Sequence, residues 1–149
     1  MENRAIIVAT HNVDKFMEMK HQLSGLKIQV YSLKDFPGID EIPETGQNLE
    51  ENALIKARKV YDLTKIPALS DDTGLEVDAL NGEPGVYSAR WAGENCTYAD
   101  NVNKMINEIK VVPKNDRTAQ FRTVMAFVHN KLEHIEFGNI KGEILEEAK

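Results

Sequence analysis

The sequence predicts an α/β protein, and three patterns carry that prediction. Residues 5–9 form a short, continuous and largely β-branched apolar run, which is typical of a strand buried on both faces. Segment 48–65 has the periodicity of an amphipathic helix, with small or aliphatic residues repeating along one side: Leu49, Ala53, Ala57 and Val60. Two apolar-rich stretches, 117–129 and 132–145, are separated by a two-residue turn and predict a β-hairpin.

Length and composition suit a single domain, 1–149, with an ordinary soluble core. The formal net charge of −6 argues against broad binding of nucleic acid or of anionic membranes, because both require basic surface. Cys96 is the single cysteine, so an internal disulfide framework is excluded and a reducing, cytoplasmic location is expected. The apolar run at residues 5–9 is far too short for a signal segment or a membrane span.

The residues after the first predicted strand are suited to an anion. Thr10 and Asn12 are helix-capping residue types, and the helical pattern that follows begins with Lys15 in its first turn. A helix N-terminus presents free N–H groups and the positive end of the helix dipole, so a lysine there is unfavourable unless it reaches a bound phosphate. A solvated Lys15 is the alternative.

A pair of adjacent carboxylates, Asp71 and Asp72, follows the apolar run 66–69. The run predicts a short buried strand, and the segment Ser70–Gly74 ends in a glycine that permits a sharp turn. Like charges at the end of a buried strand repel each other and are costly to desolvate, so a bound cation or a proton-transfer role would explain them. The alternative is a polar turn in which one aspartate caps the next element.

The remaining segments give weaker signals. Asn48 and Glu51 have the spacing of a helix capping box, and Asn52 and Lys56 lie four residues apart, so both could face one cleft. A salt-bridged, solvated helix face is the alternative for that pair. Further predicted elements are strands at 28–33 and 75–80, a loop at 35–46 that contains Glu44, an aromatic segment at 86–93 and a helix at 100–109.

Several common catalytic signatures are missing from the sequence. The four histidines are scattered without a paired spacing, so a zinc site is not expected. The sequence also lacks the phosphate-binding P-loop motif, the dinucleotide-binding glycine motif and the serine-hydrolase elbow motif. None of these common motifs therefore explains the candidate anion-binding and carboxylate residues.

Four short sequence blocks contain these candidate residues and follow one another in a fixed order. They are Thr10-x-Asn12-x-x-Lys15, then Glu44-Thr45-Gly46 leading to Glu51-Asn52-Ala53-x-x-Lys56-Ala57, then Ser70-Asp71-Asp72-Thr73-Gly74-Leu75, and finally Pro84-Gly85-Val86-Tyr87-Ser88-Ala89-Arg90. From Ile6 to about Gly142 the chain resembles the inosine/xanthosine triphosphate pyrophosphatase (Ham1-like) family, whose members remove deaminated purine nucleotides. Each block alone is a weak signal, and their order makes the resemblance specific.

The resemblance implies an elongated, two-lobed α/β fold with a mixed sheet, flanking helices and a central cleft, usually in a homodimer. It implies Mg²⁺-dependent hydrolysis of ITP, dITP or XTP to the monophosphate and pyrophosphate. By motif match, the triphosphate would be held by Thr10, Asn12, Lys15 and Lys56. Glu44 and Asp72 would bind the metal, Asp72 would also position or deprotonate the attacking water, and Thr73 would contact the substrate.

The resemblance also implies more chain after Lys149, because family members continue into segments that grip the purine base. We therefore expect a C-terminally truncated domain that carries the phosphate and metal half of the site. One alternative is a nucleotide-binding remnant that has lost turnover. Two others are a structural dimer built on the aromatic segment 86–93 and a Maf-like pyrophosphatase with another base preference.

Overall fold

The computed structural model describes residues 4–148, which group into two compact units. The first unit comprises the chain up to Asp72 together with Val124–Glu136. The second unit comprises Thr73–Thr123 and the chain from Phe137 onwards. The division falls next to the predicted aspartate pair, so both aspartates belong to the first unit.

Parallel strands form the framework of the first unit. β1 (Ala5–Val8) lies between β2 (Gln29–Ser32) and the beginning of β3 (Ala68–Val77), with both of its partners parallel to it. Helix α1 (Val13–Gln22) follows β1, and helix α2 (Leu49–Thr64) precedes β3. This alternation of strand and helix confirms the predicted α/β class.

Helix α2 begins and packs as its sequence predicts. Its N-cap is Asn48, whose Oδ1 accepts a hydrogen bond from the Glu51 amide at 2.8 Å. The Glu51 carboxylate accepts from the Gln47 amide rather than from the N-cap, so the capping box is displaced by one residue. The predicted stripe is buried: Leu49, Ala53, Ala57 and Val60. Within residues 4–148, the structure contains no helix with the length and hydrophobicity needed to cross a bilayer.

The second unit surrounds a small apolar core. The short strand β4 (Pro84–Gly85) pairs antiparallel with β3, and helix α3 (Tyr98–Ile109) follows it. The core is formed by Val77, Met105, Ile109 and Ala119. Trp91 packs against this core whereas Tyr87 is exposed, so the aromatic segment is divided between core and surface.

The predicted hairpin is confirmed. β5 (Thr118–His129) and β6 (Leu132–Glu143) are joined by a two-residue turn in which Asn130 has a left-handed backbone with φ 55°. The hydrogen-bonded strand order is β2-β1-β3-β5-β6, with β4 added beside β3. Since this sheet contains parallel and antiparallel pairs, the fold is a mixed α/β fold.

One local prediction was wrong. Segment 70–74 is not a turn between two strands, because β3 runs without interruption from Ala68 to Val77. Extended backbone continues there because the buried polar side chains find partners: the Ser70 hydroxyl donates to the Ala53 carbonyl, and Asp71 pairs with Lys15. The chain turns later, at Asp78–Leu80, where a strand was predicted.

Ile7 tests the packing of the central strand. Its side chain is fully buried in β1, between two parallel neighbours, so removal of one methyl group leaves a small cavity. We expect Ile7→Val to lower the free energy of unfolding by about 1 kcal/mol. The matched control is Ile140→Val in β6, where the side chain is 76% exposed and no measurable change is expected. Urea denaturation of the two variants measures both values, and equal losses would contradict the assignment of Ile7 to the core.

Candidate active site

The site lies where β3 continues beyond the end of β1. Register pairs Val8, the last residue of β1, with Leu69, so Ser70 and the residues after it extend past their parallel neighbour. Asp71 and Asp72 are both buried there. Successive side chains of a strand point to opposite faces, and the two aspartates accordingly have different neighbours.

Asp71 faces helix α1. Its Oδ2 lies 2.8 Å from Lys15 Nζ, and its side chain is only 4% exposed. Lys15 is held close to this position because Asn12 Oδ1 caps the helix by accepting from the Lys15 amide at 3.1 Å. Thr10 Oγ1 in turn accepts from the Asn12 amide at 3.1 Å. Thr10, Asn12 and Lys15 are therefore connected by successive contacts to the buried carboxylate of Asp71.

Helix α2 supplies the second amine. Lys56 Nζ lies 3.3 Å from Glu44 Oε1 and also donates to the backbone carbonyl of Asp71. The alternative of a solvated helix face is therefore wrong for Lys56, whose side chain is only 13% exposed. Asp71 thus receives Lys15 on its side chain and Lys56 on its backbone, and joins two groups that are far apart in the sequence.

Asp72 faces α2 and has an altered acidity. Burial and, to a smaller extent, the nearby negative charge of Glu44 together raise the pKa of its carboxyl to about 6. Lys56, the side-chain amide of Asn52 and Lys15 act in the opposite direction and lower this pKa. Asp72 therefore lies close enough to both lysines and to Glu44 to respond to their charges, and it stays ionised at neutral pH.

Asn52 and Gly46 also lie at the site, although the sequence predicts no role for either of them. Asn52 is fully buried in α2, and its Oδ1 accepts a hydrogen bond from the Gly46 amide at 2.7 Å. This bond holds the segment that carries Glu44 against the helix that carries Lys56. The spacing of Asn52 and Lys56 was the available signal, and it did place both on the side of the helix that faces the carboxylates.

Thr73 belongs to the second unit. Its hydroxyl shares a 2.8 Å hydrogen bond with the hydroxyl of Thr123. It also lines a largely apolar cavity of about 700 Å³ within that unit, together with Trp91, Met105 and Phe121. The structure thus gives Thr73 a position beside a cavity, and its role with substrate stays a prediction.

A divalent cation can be tested against this donor set. Asp71 Oδ1 is buried and accepts no hydrogen bond from any residue in the described range 4–148, which leaves a carboxylate oxygen for a ligand. Within that range, however, no three acidic, histidine or cysteine side chains converge as a complete metal cage. Mg²⁺ commonly binds through one or two carboxylates and keeps waters or phosphate oxygens as its other ligands. The residues present fit such an open site.

These features define an α/β protein with a cluster of buried carboxylates and lysine amines in its first unit. The Ham1 family model matches residues 6–149, and the chain belongs to this family. A protein of Thermoanaerobacter sp. (strain X514) named dITP/XTP pyrophosphatase is 45% identical over 144 residues, covering 97% of this chain and 73% of that relative. A Geobacter sulfurreducens protein of the same name is 43% identical over 145 residues, again 97% of this chain and 73% of the relative.

Solved structures agree with the family and the fold. The HAM1 protein from Coxiella burnetii aligns with a TM-score of 0.90 at 38% identity, covering 98% of this chain and 75% of that one. The Staphylococcus aureus Ham1 protein aligns with a TM-score of 0.84 at 34% identity, covering 96% and 73%. The family resemblance and the mixed α/β fold predicted from the sequence are therefore confirmed.

Proposed function

We propose that this chain is a hydrolase that converts non-canonical purine nucleoside triphosphates (ITP, dITP and XTP) to the monophosphate and pyrophosphate with Mg²⁺. The observation that carries the proposal is that Asp71 contacts both lysines, Lys15 through its carboxylate and Lys56 through its backbone carbonyl, next to Asp72. The names of the relatives support the substrate class.

Each residue has a chemical task in this proposal. Lys15 and Lys56 exchange their carboxylate partners for phosphate oxygens, and Thr10 and Asn12 orient the start of α1 toward the same phosphates. Glu44 and Asp72 would hold Mg²⁺, which supplies charge neutralisation and lowers the pKa of a bound water. Thr73 is proposed to contact the substrate.

Asp72 is suited to accept a proton. Its pKa of about 6 lies near neutral pH, where a general base combines ionisation with useful basicity. In the proposed reaction the water oxygen bonds to the α-phosphorus, the bond from that phosphorus to the α–β bridging oxygen breaks, and pyrophosphate leaves. The proton lost by the water passes to the Asp72 carboxylate.

The direct test measures product identity. Purified protein is incubated with ITP, dITP, XTP, ATP or GTP, with Mg²⁺ or with a chelator, and the monophosphate and pyrophosphate are quantified. We expect the inosine and xanthosine nucleotides to be cleaved in preference to ATP and GTP, and only with the cation. Release of orthophosphate instead of pyrophosphate would contradict the proposed bond cleavage. Calorimetric binding of ITP without any product would identify a nucleotide-binding protein instead.

Lysine substitutions test the phosphate contact. Lys15 pairs with a buried carboxylate, whereas Lys20 on the same helix is exposed and lies over the Phe16 ring. We expect Lys15→Met to raise KM for ITP roughly tenfold or more, because a charge-assisted hydrogen bond to phosphate is lost. Lys20→Met should leave KM unchanged. Equal effects of the two substitutions would mean that only the overall charge of α1 matters.

The cytoplasmic location and the homodimer are also proposed, on the family resemblance and on the single cysteine. Sedimentation velocity measures the oligomeric state directly, and a monomer at micromolar concentration would contradict the dimer.

A further inference from the structure

Asn52 occupies an unusual position for a helix residue. It is fully buried on α2, although an uncharged amide carries two donors and an acceptor that must each find a partner. Its backbone N–H donates to the Asn48 carbonyl as in a regular helix, so its side chain is not needed to complete the helix. The contacts of the two ends of that side chain show what the purpose is.

The oxygen end is fixed. Asn52 Oδ1 accepts from the Gly46 amide at 2.7 Å, and only an oxygen can accept there, so the orientation of the side-chain amide is determined. A methyl group at position 46 would come within 2.6 Å of this oxygen and 2.7 Å of the Glu51 Cβ. The backbone at Gly46 therefore packs so closely against Asn52 that only glycine fits there without a shift of the surrounding atoms.

The nitrogen end of the Asn52 side chain is related to Asp72. With Oδ1 bound to Gly46, Nδ2 points away from that segment, and the Asn52 amide lies close enough to Asp72 to lower the pKa of its carboxyl. Among residues 4–148, however, Nδ2 has no hydrogen bond of normal geometry. A buried donor without a full hydrogen bond costs about 1–3 kcal/mol. The bond to Gly46 accounts for the oxygen end of the side chain, but it does not account for a buried Nδ2 without a full hydrogen bond.

We propose that Asn52 is a positioning residue that sets the separation of Glu44 and Asp72, holding the Glu44 segment through Oδ1 and donating from Nδ2 to Asp72 when ligand is bound. The inference rests on the proposed function. Asn52 itself does not contact the reacting atoms. Its action passes entirely through the two carboxylates.

Two substitutions distinguish the effect of the Asn52 side-chain oxygen from the effect of its nitrogen. Asn52→Leu keeps the approximate volume and removes both polar ends. Asn52→Asp keeps an acceptor for the Gly46 amide and removes the donor toward Asp72. The matched control is Asn48→Ala, which removes the N-cap of the same helix but none of the contacts of Asn52.

We expect Asn52→Leu to lower kcat for ITP by roughly 10- to 100-fold, the usual effect of losing a residue that orients metal-binding groups. KM should change less, because the lysines are untouched. In the same variant without ligand, hydrogen exchange of the Gly46 amide should accelerate at least about tenfold. Asn52→Asp should lower kcat as well but keep the Gly46 amide protected. Asn48→Ala should lower stability while kcat and Gly46 protection stay near those of the wild type.

A wild-type kcat in Asn52→Leu, or unchanged exchange of its Gly46 amide, would overturn the inference. A parallel titration with Mn²⁺ alone, followed by water relaxation, separates this inference from the proposed function. If the wild type binds Mn²⁺ but cleaves no triphosphate, the proposed reaction fails, and the inference is then decided by the metal. A loss of Mn²⁺ affinity of roughly tenfold in Asn52→Leu supports it, and equal affinities overturn it.

Discussion

Asp72→Asn is expected to reduce kcat for ITP by roughly 100- to 10,000-fold, the range for loss of a group that transfers a proton in the transition state. Asparagine keeps the size of the side chain but cannot accept the proton and is a weak ligand for a cation. Steady-state assays with excess Mg²⁺ measure the loss. The matched control is Asp62→Asn on the exposed side of α2, which should retain full activity. Retention of activity in both variants would exclude Asp72 from the reaction.

The same substitution should stabilise the fold in the absence of metal. Burial raises the pKa of Asp72 from 3.8 to about 6, so the folded protein disfavours the ionised carboxylate. The resulting destabilisation is absent below the unfolded pKa, grows as pH rises through the window from about 4 to 6, and is complete above it. With a chelator at pH 7, Asp72→Asn should therefore be more stable than the wild type by roughly 1–3 kcal/mol. At pH 3.5 the two proteins should denature at the same urea concentration.

The opposite result, a loss of stability in Asp72→Asn, would show that the charges around Asp72 favour its ionised form. If Asp72→Asn is less stable than the wild type at pH 7 without metal, the two lysines outweigh the desolvation and the Glu44 charge. That result would leave the catalytic expectation intact, because activity and metal-free stability are measured independently.

Gly46→Ala is expected to be damaging although it adds a single methyl group. The new Cβ would lie 2.6 Å from Asn52 Oδ1, 2.7 Å from the Glu51 Cβ and 3.0 Å from the Asn52 backbone nitrogen. Since the helix backbone cannot yield cheaply, the Glu44 segment must move away from α2. We expect a loss of about 1–3 kcal/mol in the free energy of unfolding, in the range found for overpacked sites.

The displacement should also reach the reaction, because Glu44 is two residues from the added methyl. A decrease in kcat of roughly tenfold or more is expected, and half-maximal activity should require a higher Mg²⁺ concentration. Gly38→Ala is the matched control in the same loop, since a Cβ there meets nothing within 4 Å. Thermal unfolding and ITP assays on both variants measure the two effects. A neutral Gly46→Ala would show that the Glu44 segment is not seated on Asn52 in solution.

The sequence predicts the elements that depend on local pattern. The run 5–9, the stripe on α2 and the hairpin turn at Asn130 each carry their signal within a few residues, and each is confirmed. Segment 70–74 failed because its polar residues read as a turn, whereas the partners that keep them in β3 come from α1 and α2. Such distant partners leave no mark on local periodicity.

The site shows the same limit. Ordered motifs predicted that Lys15, Lys56, Glu44 and Asp72 act together, and the structure places all four in the first unit. Spacing alone did not predict that Asp71 joins the two lysines. It also gave no hint of the bond between Gly46 and Asn52, because the donor is a backbone N–H that no residue type encodes.

The pairing of both lysines with acidic side chains has a consequence for the order of binding. Three carboxylates, Glu44, Asp71 and Asp72, surround two ammonium groups, so this part of the protein has a surplus of negative charge at pH 7. An uncomplexed triphosphate would be repelled on approach. A nucleotide that already carries its divalent ion has less negative charge and is repelled less. The complexed form should therefore associate faster, and high salt should reduce the difference between the two association rates.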